Sequence, residues 1–188
     1  MKKILFLGYN SKETKLVKFL KKKNQVLEFG QKKLDKRFIK NFDLLISFGY
    51  KSIIKEKILK SLKRPAINLH ISYLPYNRGA HPNFWSFVEK TPKGVTIHEI
   101  SKKIDDGKII KRKKIHFKIT KSLTFKSTYK KLCNEIENLF INNSKSIILG
   151  SYKCKKFKQK GTFHKKKDLP KNISNWNIKI SSYLSNLK

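Results

Sequence analysis

Two short apolar runs, each stopped by a glycine, restrict the fold of this chain more than any other feature. Ile4-Leu5-Phe6-Leu7 ends at Gly8, and Leu44-Leu45-Ile46-Ser47-Phe48 ends at Gly49. Runs this short without polar alternation suit strands covered on both faces. Between them lies a helical stripe of Leu16, Val17, Phe19 and Leu20, with Ser11 or Thr14 placed to cap it, and then a short strand over Gln25–Phe29. Lys32 to Lys40 reads as a polar connection or weak helix. Ile53 to Leu62 reads as an amphipathic helix on Ile54, Ile58, Leu59 and Leu62. Strands and helices alternating in this way predict an α/β fold, a mostly parallel, twisted, Rossmann-like sheet with flanking helices.

The next strand carries chemistry. Ile67, Leu69 and Ile71 alternate with Asn68, His70 and Ser72, so an amide, an imidazole and a hydroxyl share one face. The strand runs through Leu74-Pro75 into Tyr76-Asn77-Arg78-Gly79-Ala80, which delivers those groups to a sheet edge of the kind where open α/β sheets bind ligands. From the spacing alone, strand-end polar residues satisfied by neighbouring backbone explain Asn68 and His70 equally well.

Further along, Pro82 to Glu89 predicts a helix, with Trp85 close enough to the Arg78-Gly79 loop to line a pocket and Phe87 in the core. Val95 to Ile100 alternates as a half-buried strand in which His98 reads as structural. Asp105-Asp106-Gly107 is a turn before the strand Lys108–Ile110, and Ile115 to Ile119 predicts another strand. Thr124 to Leu149 is the longest helical pattern, suited to packing across the sheet.

A chain of 188 residues suits one domain with a single core, and no run approaches the roughly 20 apolar residues of a membrane span. Met1-Lys2-Lys3 leads into too short an apolar run for a secretory signal, so the expected location is cytoplasmic, with Cys133 and Cys154 as free thiols. The formal charge of +34 raises nucleic acid or an anionic surface as a partner. Yet only Arg37, Arg64, Arg78 and Arg112 are arginines, and lysines are spread through the chain among Ile and Asn. Nucleic-acid sites recruit Arg for its fork and its stacking, so compositional drift is the preferred reading. The charge would still attract an anionic small molecule.

Asn68-Leu69-His70-Ile71-Ser72-Tyr73-Leu74-Pro75, with Arg78-Gly79-Ala80 and Pro82 behind it, resembles the N-x-H-x-S-x-L-P…R-G-A-x-P signature of the folate-dependent formyltransferases. A second block, Gly94-Val95-Thr96-Ile97-His98-Glu99-Ile100 and then Ile104-Asp105-Asp106-Gly107-Lys108-Ile109-Ile110, is similar to that family's G-V-T-I-H…L-D-T-G-x-I-I. The resemblance implies a catalytic domain over residues 1–150 and a basic extension over 151–188. In that extension, Gly161-Thr162-Phe163-His164 looks like the segment behind the catalytic domain of sugar N-formyltransferases, while Trp176 and Tyr183 suggest packing, or contact in a homodimer.

By the same resemblance Asn68, His70 and Asp105 are catalytic. The Phe48-Gly49-Tyr50-Lys51 loop would hold the pteridine of 10-formyltetrahydrofolate, and Tyr76, Asn77, Arg78, Gly79 and Trp85 would line the acceptor site, with no metal required. Formyl transfer through a tetrahedral, oxyanion-bearing species needs donors aimed at that oxygen and an acceptor for the amine proton. Asn68 would supply the donor, and Asp105 would set the tautomer of His70 through the ring nitrogen that does not donate. Asp106 departs from the family's Thr, leaves itself as a fallback carboxylate, and is expected to raise its neighbour's pKa.

Gly8-Tyr9-Asn10-Ser11 lacks the glycine-rich loop of glycinamide ribonucleotide transformylases, and the stretch after Gly150 is too short for the tRNA-binding barrel of methionyl-tRNA formyltransferases. A nucleotide-linked amino-deoxysugar for a surface polysaccharide is therefore the expected acceptor. The competing readings are formylation of another amine, methionyl-tRNA or glycinamide ribonucleotide, or a non-catalytic module binding a polyanion.

Overall fold

The computed structural model describes every residue except 158, 172, 174 and 188. Six strands form the main sheet: β1 (Lys3–Gly8), β2 (Gln25–Gly30), β3 (Leu44–Phe48), β4 (Ile67–His70), then β6 (Gly94–Glu99) and β7 (Ile109–Lys114), which follow the two-residue β5 (Arg78–Gly79). Their order is β2-β1-β3-β4-β6-β7. The first four are parallel, and β6 and β7 run antiparallel to their neighbours. The predicted α/β sheet is thus present, completed by an antiparallel pair.

Alternation along the central strands builds two cores. Ile4 and Phe6 of β1, with Leu44, Ile46 and Phe48 of β3, face one side. They meet Leu16, Val17 and Leu20 of helix α1 (Lys15–Lys21), and Leu132, Ile136 and Phe140 of α5 (Phe125–Leu149). Leu5, Leu7 and Leu45 face the other side, against Ile39 of α2 (Lys36–Ile39) and Ile58 of α3 (Glu56–Leu59). Thr14 caps α1 by accepting from the Leu16 N–H at 3.3 Å. At α5 the Thr124 and Ser127 hydroxyls each accept from the other's backbone N–H at 3.1 Å, a reciprocal cap.

Two sequence expectations fail for identifiable reasons. The helix expected over 53–62 is a single turn, because Lys55 offers no side-chain cap and Ile53 stays 70% exposed with nothing to bury against. The strand expected over 115–119 does not form. Lys114 is already opposite Gly94, where β6 begins, so residues beyond it have no ladder partner. Ile115 donates its N–H to the Lys93 carbonyl at 2.9 Å and the chain leaves the sheet.

Residues after Gly150 are woven into the body. Phe163–His164 forms β8 beside β5, in parallel. Ile180 and Tyr183 of α6 (Ile180–Ser185) bury against Phe84 and Phe87 of α4 (Pro82–Val88) and Phe125 of α5. The tail also feeds the start of α5: the N–H groups of Phe125 and Lys126, which lack intrahelical partners, donate to the carbonyls of Ile178 and Trp176 at 3.3 and 2.7 Å.

Against 46 cationic residues the chain has 12 carboxylates. Every one of them has a partner within the protein: a backbone N–H for Glu13, Asp35 and Asp168, an Arg, Lys or His side chain for most of the others, and a Tyr hydroxyl for Glu99. Among the described residues, no helix is long and apolar enough to cross a membrane.

Candidate active site

The sheet order reverses at β1, so the crevice at the carboxyl ends of β1 and β3 is the topological switch point where such sheets take ligands. Two loops meet there. The Tyr9 N–H donates to the Phe48 carbonyl at 2.9 Å. Gly8, at φ 100°, lies so close to that carbonyl that a Cβ would overlap it. Gln31, from the loop after β2, clasps the segment beyond Phe48: its amide donates to the Gly49 carbonyl at 3.0 Å and accepts from the Lys51 N–H at 2.9 Å. Tyr50 closes the arrangement by donating its hydroxyl to the Lys32 carbonyl at 2.6 Å. The four residues expected to hold a pteridine therefore form one loop with a fixed backbone.

One strand over, polar groups converge. In the antiparallel β4/β6 register Asn68 lies opposite His98, and His70 opposite Thr96, so the polar faces of the two strands coincide. The turn at Asp105 brings a carboxylate between them. Asn68 Nδ2 donates to Asp105 Oδ1 at 3.2 Å and lies the same distance from His98 Nε2. The Gly79 N–H donates to Asp105 Oδ2 at 2.8 Å. His70 Nε2 lies 3.6 Å and His98 Nε2 3.5 Å from the carboxylate oxygens. Asp105 itself sits at φ 49°, in the left-handed region that aspartate tolerates better than most residues, and its partners hold it there.

The electrostatics follow from burial. Burial pushes the Asp105 carboxyl up, but His70, His98 and the Gly79 N–H together hold it below the ordinary carboxylate range. The expectation that Asp106 would raise it is not met, because Arg78 Nη1 donates to Asp106 Oδ1 at 2.9 Å and ties that charge elsewhere. Burial lowers the His70 imidazole below its usual value, which keeps the ring neutral near pH 7, with Asp105 opposing the shift. Its hydrogen bonding differs from the expected pattern. The Nε2–H donates to the Asn77 carbonyl at 3.2 Å, and Asp105 approaches the same nitrogen rather than the other one.

The residues expected around the acceptor are placed unequally. Tyr76 accepts the Ser72 hydroxyl at its carbonyl at 2.9 Å, and Arg78 and Gly79 secure the two aspartates. Asn77 is fully buried, and its amide donates to the Thr91 hydroxyl at 2.8 Å, so its side chain braces the loop instead of facing a ligand. Trp85 lies face to face with His164, ring centroids 4.0 Å apart and planes within 9°. His98, read as structural, is 1% exposed and stands inside the cluster. Its Nδ1–H donates to the Glu99 carbonyl at 2.8 Å, and its Nε2 lies 3.2 Å from Asn68 Nδ2 and 3.5 Å from Asp105 Oδ1. The signal available in sequence was its place on the polar face of an alternating strand. Gln31 carried no signal, since it acts through a distant loop, and Thr162 stood only within the Gly161–His164 segment, with nothing to tie it to Asn77.

Residues 9–143 match the model of the formyl transferase family. The chain belongs to that family. It is 30% identical over 69% of its length to the dTDP-4-amino-4,6-dideoxyglucose formyltransferase of Mycobacterium bovis, and 47% identical over 48% of its length to the bifunctional polymyxin resistance protein ArnA of Wigglesworthia glossinidia brevipalpis. It spans 54% of the first of these relatives and 14% of the second. Among solved formyl transferase structures, PseJ from Anoxybacillus kamchatkensis is in complex with UDP-4,6-dideoxy-4-formamido-L-AltNAc and tetrahydrofolate. It superposes with a TM-score of 0.89 at 38% identity, covering 99% of this chain and 100% of that one. A 4-N formyltransferase from Francisella tularensis shares the fold, with a TM-score of 0.79 at 23% identity.

Proposed function

We propose that this chain is an N-formyltransferase that moves a formyl group from 10-formyltetrahydrofolate to the amine of a nucleotide-linked amino-deoxysugar in the cytoplasm. The observation that carries the reading is the meeting of Asn68, His70 and Asp105 in one buried cluster at the carboxyl end of β4. The match in length and fold to a formyltransferase whose structure contains a UDP-formamido sugar and tetrahydrofolate supports the choice of donor and acceptor.

The folate supplies a formyl carbon on N10, and the sugar amine forms the new C–N bond as the bond to N10 breaks. Asn68 Nδ2 is a neutral donor for the oxygen on which negative charge develops. Asp105 is ionised at neutral pH and takes the proton shed by the amine, and N10 gains a proton as tetrahydrofolate leaves. His70, neutral and fixed as its Nε2–H tautomer, flanks the same carboxylate. The Phe48–Lys51 loop, clasped by Gln31, offers its backbone to the pteridine, and Arg78 and Gly79 border the acceptor side.

The test is formyl transfer from 10-formyltetrahydrofolate to a panel of nucleotide-linked amino sugars, with Asn68→Ala as the control. Turnover on one acceptor that is lost in the variant is the expected result. Absence of turnover across the panel by folded protein would sink the reading.

A further inference from the structure

The tail reaches the catalytic strand through one residue. Thr162 lies 85 positions after Asn77, yet its hydroxyl accepts the Asn77 N–H at 2.8 Å and donates to Asn77 Oδ1 at 3.3 Å. Its carbonyl accepts the Arg78 N–H at 3.0 Å. The peptide between Asn77 and Arg78 is therefore held at the nitrogen on one side, and its carbonyl points the opposite way, to His70 Nε2 at 3.2 Å. The next rung, from the Ala80 N–H to the His164 carbonyl at 2.9 Å, continues the same register.

Asn77 needs such a hold. It sits at φ 56°, in the left-handed region that asparagine tolerates better than most residues but that still gains from being held by its partners. It is also fully buried, so no water can replace a lost partner.

We infer that Thr162 is a positioning residue for formyl transfer: its hydroxyl holds Asn77 at the N–H and side chain, its carbonyl holds the Arg78 N–H, and together they aim the Asn77 carbonyl that fixes the tautomer and orientation of His70. The inference rests on the catalytic reading of His70 proposed above. His70 Nε2 has two acceptors within reach, the Asn77 carbonyl and Asp105 Oδ2. With the peptide locked, the ring N–H goes to the neutral carbonyl, and the carboxylate, which already accepts from Asn68 and the Gly79 N–H, takes no further donor from His70 and keeps a lone pair for the incoming amine. With the peptide loose, that N–H turns to Asp105 and occupies the group needed as a base. The tail strand is then part of how the catalytic histidine is set, in addition to packing.

Three forms of the full chain decide it: wild type, Thr162→Val, which keeps the shape and removes the hydroxyl, and Thr162→Ser, which keeps the hydroxyl. For Thr162→Val, kcat should fall about tenfold, the size a buried hydrogen bond carries. KM for donor and acceptor should stay within about twofold and Thr162→Ser should recover wild-type kcat, because only the hydrogen bond is removed and then restored. Nitrogen-15 NMR of the imidazole, assigned with His70→Gln, should show the Nε2–H tautomer in wild type and a mixed pattern in Thr162→Val. A thermal melt checks folding, and Thr162→Ala replaces the valine variant if that one does not fold. Unchanged His70 ring signals without the hydroxyl, a serine variant as slow as the valine one, or an effect on KM alone would each overturn the inference. If wild type transfers no formyl group, the proposed function fails, while the ring signals still decide whether Thr162 positions His70.

Discussion

Arg78 binds Asp106 and leaves Asp105 alone: the guanidinium Nη1 lies 2.9 Å from Asp106 Oδ1, while Asp105 takes the Gly79 N–H and Asn68 instead. Two adjacent carboxylates are thereby assigned different work. Asp105→Asn removes the proton acceptor and should lower kcat by about 10²–10⁴. Asp106→Asn leaves the cluster in place and should act mainly by raising KM for the acceptor. Steady-state kinetics of the two variants checks this, and equal losses in kcat would count against it.

Acid should loosen the fold in two stages. Between pH 6.5 and the lowered value of buried His70, the unfolded chain takes up a proton that the folded protein refuses, so stability falls as the pH drops. Asp105 is also depressed, so the stability it contributes is present above its ordinary 3.8 and is lost as the pH falls through its folded-state value. The urea midpoint should therefore be lower at pH 5.5 than at pH 7.5. His70→Gln should flatten that difference, and an unchanged slope would refute the assignment.

Gln31 touches nothing in the catalytic cluster, yet it makes two hydrogen bonds to the loop between Phe48 and Lys51. Gln31→Ala should raise KM for the folate by about thirtyfold at most with kcat nearly unchanged, because the two bonds each contribute on the order of 1 kcal/mol to holding that backbone. Donor-dependent initial rates provide the measurement.

Tyr183 is 9% exposed and lies edge-on to Phe84 and Phe125, with centroids 5.3 and 5.7 Å apart. Truncating it to alanine should destabilise the protein by about 3 kcal/mol, as for other large core aromatics. Equilibrium urea unfolding reads the change. A loss below about 1 kcal/mol would show that the tail contributes little to the core.

The central strands were legible because burial on both faces leaves no freedom in composition: Ile4–Leu7 and Leu44–Phe48 can be little else. The Asn68/His70 face was legible from a period of two. The place of His98 beside Asn68 was not legible, because it depends on an antiparallel ladder, and register between distant strands is not written in either one alone. The residues from 115 to 119 kept the alternation of a strand but had run past the end of their partner. Ile53 to Leu62 had the apolar period of a helix without a cap to start one. The two cases share a cause, since local pattern is necessary for an element while the partner or the cap decides whether it forms.

The full engagement of the carboxylates has a consequence for the solvent around this protein. Among the described residues every acidic side chain already has a partner, so the many lysines beyond those pairs repel one another with no further carboxylate to offset them. Dissolved ions then do what further acidic residues would have done. Raising sodium chloride from about 10 mM to about 150 mM shortens the screening length from roughly 30 Å to 8 Å and should raise the melting temperature. For most proteins salt weakens electrostatics that help the fold; here it takes the place of missing negative charge.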